Sequence, residues 1–286
     1  MIIISTRKDF VDADRKPQKF KIADIDLENI DEDYIENNYQ LSLSISNNNF
    51  IEKIRNKKVL ILVHGYNNNF ETVSNTYNRL DQEFRRFNAY DEIIGFIWSG
   101  GDNSGAIFNA KLKVDKNSRE FNGFLKLLSQ ANSTIDIIAH SLGNKIVFKA
   151  LSNKFYNNDV IRYFFSLSAA VDKESIAQEQ EFNKSTQTIK QTFVFYSKYD
   201  IVLRNFYRIT DWGFDEALGH GLPEDLEYFN RINKKVFLVN SNNIVNKNNH
   251  RFGHFKYKSS DKFYSFLKKI INNEINLENN HFLTIK

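Results

Sequence analysis

Short apolar runs alternate with longer stretches of helical spacing along most of this chain. The runs at 59–63, 93–98, 135–139, 161–167, 192–196 and 236–239 are rich in β-branched and aromatic residues and are bounded by polar or turn residues. That is the pattern of buried strands. The stretches 72–87, 121–130, 142–152 and 261–270 carry apolar residues at helical spacing, which predicts helices with one face on a core. Strand, helix, strand at this rhythm predicts parallel strands joined by helical crossovers. The expected class is therefore α/β, with a mostly parallel central sheet and helices on both faces. Ahead of the series, 2–5, 20–25 and 39–46 predict further strands that form an antiparallel N-terminal edge. No repeat and no Pro- or Gly-rich linker divides the sequence, so 1–286 is expected to be a single domain. The stretch 210–226 breaks the rhythm with Trp212, Gly213, Gly219, His220, Gly221 and Pro223. A lid or pocket insertion is expected at 204–233, between the last two strands.

Composition narrows the classes. With 286 residues, 41% hydrophobic and 26% charged, the chain has the makeup of an ordinary globular protein. The absence of Cys excludes disulfides, thiolate zinc sites and Cys nucleophiles. A net charge of +4 is spread along the sequence, and the Asn- and Lys-rich loop 242–249 lacks the interleaved aromatics of a base-stacking platform. No nucleic-acid partner is expected. The apolar run at the N-terminus ends too soon for a signal-peptide core, and none approaches the ~20 residues of a membrane span. The expectation is a cytoplasmic protein without a transmembrane segment, its oligomeric state left open.

The chemistry concentrates at Ala139-His140-Ser141-Leu142-Gly143, where the third strand of the series ends and a helix begins. A serine in that tight turn presents its hydroxyl clear of the sheet, as a nucleophile elbow requires. Small residues two before and two after it let the strand and helix backbones pass closely. The first strand of the series runs directly into His64-Gly65-Tyr66. Backbone N–H groups at such turns stabilise the oxyanion of acyl transfer, and those of Tyr66 and Leu142 are the expected oxyanion hole. Gly65 allows the loop to approach closely. His64 precedes the serine in chain order and reads as structural.

A serine at its ordinary pKa needs a base and an orienting acid. Asp200 follows the run 192–196, two strands beyond the serine, where this arrangement carries its acid. Asp172, after 161–167, is the competing candidate. After the run 236–239 come His250 and His254. His254 is preferred because Gly253 precedes it and a helix follows, and Gly253 is expected to prevent a continuous helix over 250–254.

The segment Val-Leu-Ile-Leu-Val-His-Gly-Tyr-Asn-Asn-Asn-Phe-Glu at 59–71, with Ile-Ile-Ala-His-Ser-Leu-Gly-Asn at 137–144, resembles the DUF900 family of α/β-hydrolases. Ser5-Thr6-Arg7, Phe96-Ile97-Trp98-Ser99, Tyr196-Ser197-Lys198-Tyr199-Asp200 and Gly253-His254 fit the same family. Ser99 stands where that family commonly has Pro, and Ser168-Ala169-Ala170-Val171-Asp172 lacks its usual Ala-Pro-Asp. The resemblance implies an α/β-hydrolase fold and an esterase- or lipase-like serine hydrolase.

The expected function is cleavage of a carboxylic ester or lipid-like acyl substrate through Ser141, His254 and Asp200. Tyr66, Trp98, Trp212 and Phe252 are expected to line an apolar acyl pocket, and no metal or organic cofactor is required. A thioesterase or amidase with the same residues is one alternative, and a non-catalytic binding module on the same fold is another.

Overall fold

The apolar runs become strands of one sheet. The computed structural model describes residues 1–8, 10–13, 16–27, 44–101, 107–152, 160–207, 216–248, 250–278 and 281–286; at 107–109, 111, 206–207 and 250–252 it describes the backbone alone. The strands are β1 (Ile2–Ser5), β2 (Lys21–Asp24), β3 (Lys58–Val63), β4 (Glu92–Ile97), β5 (Thr134–His140), β6 (Ile161–Leu167), β7 (Ile189–Tyr196), β8 (Val236–Asn240) and β9 (Phe282–Thr284). They lie side by side in the order β2-β1-β4-β3-β5-β6-β7-β8-β9. Every neighbouring pair is parallel except β1 with β2.

The antiparallel N-terminal edge is therefore β2 alone. β1 lies inside the sheet, parallel to β4. Of the stretch expected as a third early strand, 39–43 lies outside the described residues. Ser44 makes a single antiparallel bridge to Ala23, and helix α1 (Asn47–Ile54) follows, capped by the Ser46 side chain. The strand at 236–240 is not the last: β9 adds a parallel edge beyond it.

Helices α2 (Phe70–Arg86), α3 (Ile107–Leu128), α4 (Gly143–Ser152), α5 (Asn183–Gln187), α6 (Leu226–Arg231) and α7 (Asp261–Ile271) complete the layers. Side chains alternate across β3, so its two faces feed different cores. Ile61 and Val63 pack with Phe121 and Phe124 of α3 and Val147 and Phe148 of α4. Leu60 and Leu62 pack with Val73 and Tyr77 of α2 and Phe263 and Leu267 of α7. On this second face Phe165, Phe193 and Phe237 stand in register across β6, β7 and β8, with stacked rings 5.4 and 5.1 Å apart. Fully burying each such ring contributes roughly 1.5–3 kcal/mol. α2 starts where Asn69 accepts the Thr72 N–H at 2.8 Å and buries Phe70, Val73, Tyr77, Leu80 and Phe84 as one stripe. Among the described residues no helix is long and apolar enough to cross a membrane.

Candidate active site

The C-terminal ends of β3, β5, β6 and β7 carry the sequence-predicted site residues to one edge of the sheet, where open α/β sheets bind ligands. β5 ends at His140, and the chain turns at Ser141, whose φ of 53° is left-handed. A non-glycine residue there costs on the order of 1–3 kcal/mol and persists only where neighbours over-determine it. They do so here. The Ser141 N–H donates to the Leu167 carbonyl at 3.0 Å, and the Ser141 carbonyl accepts from the backbone N–H groups of Asn144 and Ala170 at 3.1 and 3.2 Å. The Asn144 side-chain amide adds a third bond to that carbonyl at 3.0 Å.

Two glycines let the β3 loop press against this turn. A β-carbon on Gly143 would stand 2.3 Å from the His64 carbonyl oxygen. One on Gly65 would stand 3.0 Å from the Ser141 β-carbon and 3.1 Å from His140 Nδ1. The Leu142 N–H has no hydrogen-bond acceptor among the described residues. Leu142 is buried at the start of α4, and the partly buried Tyr66 packs on the α3/α4 core.

A buried polar frame holds the loop after β3. His64 Nε2 accepts the Trp98 N–H at 3.0 Å, so its proton is on Nδ1 and donates to the Gly65 carbonyl at 2.7 Å. Burial first, and the Arg7 charge second, hold the His64 pKa well below the ordinary histidine range. Trp98 stacks on this ring at 5.4 Å and donates its indole N–H to the His64 carbonyl at 2.8 Å. Fully buried Arg7 donates to the carbonyls of Trp98 (3.1 Å), Val11 (3.1 Å) and Asn68 (2.7 Å). The Asn68 amide in turn donates to the carbonyls of Gly65 and Tyr66 at 3.1 and 2.8 Å. Arg7 was visible in the sequence only as part of Ser5-Thr6-Arg7; nothing there revealed that it braces residues some sixty positions away.

Asp200 and His254 meet across the same edge. Asp200 is completely buried, and its Oδ2 lies 2.8 Å from His254 Nδ1. A carboxylate only accepts, so Nδ1 carries the proton and Nε2 is left as the basic atom. Ser168 Oγ donates to the same Oδ2 at 2.8 Å, and the Leu203 N–H donates to Oδ1 at 3.1 Å. Burial alone would raise the Asp200 pKa. The His254 imidazole and these donors outweigh it and hold the carboxyl below its ordinary value.

His140 couples the turn to the histidine. Its ring lies 4.5 Å from that of His254, and its Nε2–H donates to the His254 carbonyl at 2.8 Å. Burial chiefly, with His254 as the next contributor, lowers the His140 pKa to about 3, so this ring is neutral. Ser168 and His140 were not singled out in the sequence as site residues. Ser168 lies at the family departure noted above, which was the available signal.

The profile of a family described as "Alpha/beta hydrolase of unknown function (DUF900)" matches residues 41–273. The chain belongs to this family. No curated protein matches the chain. Among solved structures, phospholipase PlaB from Legionella pneumophila is similar at 18% identity and a TM-score of 0.33, over 65% of this chain and 39% of that one. The chain thus spans well under half the length of that protein.

In this DUF900 chain the competing candidates stand elsewhere. Asp172 Oδ1 accepts the Glu174 N–H at 2.7 Å, its carbonyl accepts from Ser175, and its backbone bridges to Ala217. His220 pairs with Glu216 at 2.5 Å. The backbone at 250–259 is a continuous 3-10 helix, His250–Ser259, that runs through Gly253 and so corrects the expected break. Its tighter turn accommodates the glycine and holds His254 inward. The side chains of His250 and Phe252 lie outside the described ones, and so does Trp212. Trp98, expected in the acyl pocket, is fully buried against His64 as part of the frame. Of the insertion 204–233, residues 208–215 lie outside the described set. The next stretch is fastened to the turn after β6: Leu218 N–H donates to Val171, and Gly219 N–H to Ala169.

Proposed function

We propose that this α/β-hydrolase is a serine hydrolase that cleaves a carboxylic ester or lipid-like acyl bond through Ser141, His254 and Asp200, from a single domain in which 204–233 is an insertion beside the site. The observation that carries the reading is the buried Asp200–His254 pair, whose imidazole lies 4.5 Å from the ring of His140, the residue before a serine in a left-handed strand-to-helix turn. The pair leaves Nε2 as the basic atom, and a strained strand-to-helix turn is where a nucleophilic serine stands clear of a sheet.

In the first step His254 Nε2 takes the proton from Ser141 Oγ as that oxygen bonds to the acyl carbon. The carbonyl oxygen gains the charge and is met by the N–H groups of Leu142 and Tyr66. Collapse expels the alcohol, which takes the proton back from His254. Water then attacks the acyl-serine, gives its proton to His254, and the acid leaves while Ser141 regains its proton. Asp200 keeps Nδ1 protonated and balances the imidazolium as it forms. Nothing in these steps calls for a metal or an organic cofactor. Hydrolysis of a p-nitrophenyl ester series by the purified protein tests the reading, with Ser141→Ala expected to lower turnover by roughly 10³-fold or more.

A further inference from the structure

A cavity lies next to the serine turn, between α2 and the 255–259 segment, with a volume of about 460 Å³. Its floor is Leu62, Ile138 and Leu167 of the sheet, and Val73 and Phe263 stand on opposite walls. The volume is in the range of small-ligand sites, about 300–1,000 Å³. Lys258 bridges the cleft: its ammonium donates to Thr76 Oγ1 on α2 at 3.1 Å. Among the described residues no carboxylate pairs with it. Burial first, and then the Arg79 charge, lower its pKa. A partly buried ammonium facing apolar walls with only a neutral hydroxyl partner is unfavourable, and an anion beside it removes much of that cost.

We propose that this cleft binds a fatty-acid anion, with the carboxylate on Lys258 and a single alkyl chain against Leu62, Ile138 and Leu167. The combination decides the class: an ammonium at the cleft whose bonded partner is a neutral hydroxyl, a second lysine, Lys256, on the same lining, and an apolar floor with room for a chain. The site is separate from Ser141, Asp200 and His254, none of which lines it. Gly65 and His140 also line it, and Gly65 packs against the Ser141 turn, so the cleft adjoins that turn.

Calorimetric titration of the full chain with dodecanoate, and with dodecanol as the uncharged counterpart, tests this. Wild-type protein is expected to bind dodecanoate saturably, with affinity rising about fourfold per methylene from octanoate. Lys258→Met is expected to weaken dodecanoate at least tenfold and leave dodecanol binding as it was. Thr76→Trp, at a partly exposed position on α2, is expected to remove binding of both by filling the cleft. Dodecanoate affinity unchanged in both variants, or no saturable binding to wild type, would overturn the proposal. The proposal does not rest on the hydrolase reading: a protein that binds dodecanoate through Lys258 but fails every ester test keeps the cleft and loses the enzyme.

Discussion

His254 donates from Nδ1 to Asp200 Oδ2 across 2.8 Å, with both side chains buried. The bond joins the loop after β7 to the 3-10 helix after β8 and fixes which ring nitrogen faces outward. Asp200→Asn is expected to preserve the fold but lower ester turnover by about 10⁴-fold, because the amide favours the wrong tautomer. Asp172→Asn, whose carboxylate accepts the Glu174 N–H in the turn after β6, is expected to leave turnover near wild type. Steady-state kinetics of the two variants decides between them, and a reversed pair of results would place the acid after β6.

Two buried neutral histidines set the acid limb of stability. His64 and His140 have folded-state pKa values depressed by burial, that of His140 to about 3. The unfolded chain therefore binds protons that the native state refuses once the pH drops below ~6.5. Stability is fully present above that pH and falls by about 1.4 kcal/mol per pH unit for each histidine as acidity increases. Asp200, also depressed, adds its loss only below about pH 4. Tm is expected to decline from pH 6.5 downward; a flat Tm between about pH 7 and pH 5 would contradict the neutral frame.

Gly143 and Gly123 are expected to respond oppositely to alanine. At Gly143 the new β-carbon meets the His64 carbonyl at 2.3 Å, so backbone must move. Gly143→Ala is expected to cost about 1–3 kcal/mol and most of the turnover. At Gly123, within α3, it meets only the Phe20 ring at 3.5 Å, an ordinary contact. Gly123→Ala is expected to stabilise by up to about 1 kcal/mol. Urea unfolding measures both.

Arg7 braces the Tyr66 loop from a distance. Arg7→Met keeps apolar bulk but strips donors from the carbonyls of Trp98, Val11 and Asn68. A loss of about 3 kcal/mol or more is expected, since each bare buried acceptor costs roughly 1–3 kcal/mol. Turnover should fall as well, because Asn68 holds the Gly65 and Tyr66 carbonyls. Unchanged stability would mean that water replaces the guanidinium.

The strand series was legible because a parallel sheet buries both faces, so runs such as 59–63 and 161–167 stand out without alternation. The serine turn was legible because a strained turn demands small neighbours at fixed positions. Two kinds of feature were not. β9 is only three residues long, and an edge strand that short leaves no periodicity. Arg7, His140 and Ser168 act through backbone carbonyls or one carboxylate oxygen brought near by the fold, and sequence separation hides such partners. The 3-10 helix through Gly253 also escaped, because glycine weakens an α-helical reading while fitting a tighter turn.

Reaction with a fluorophosphonate probe tests the central claim most directly. The native protein is expected to acquire one phosphonyl group, mapped by peptide mass to Ser141, and Ser141→Ala is expected to remain unlabelled. Undiminished labelling of Ser141→Ala, or a folded native protein that resists the probe while a reference serine esterase reacts, would contradict the assignment of Ser141 as the nucleophile.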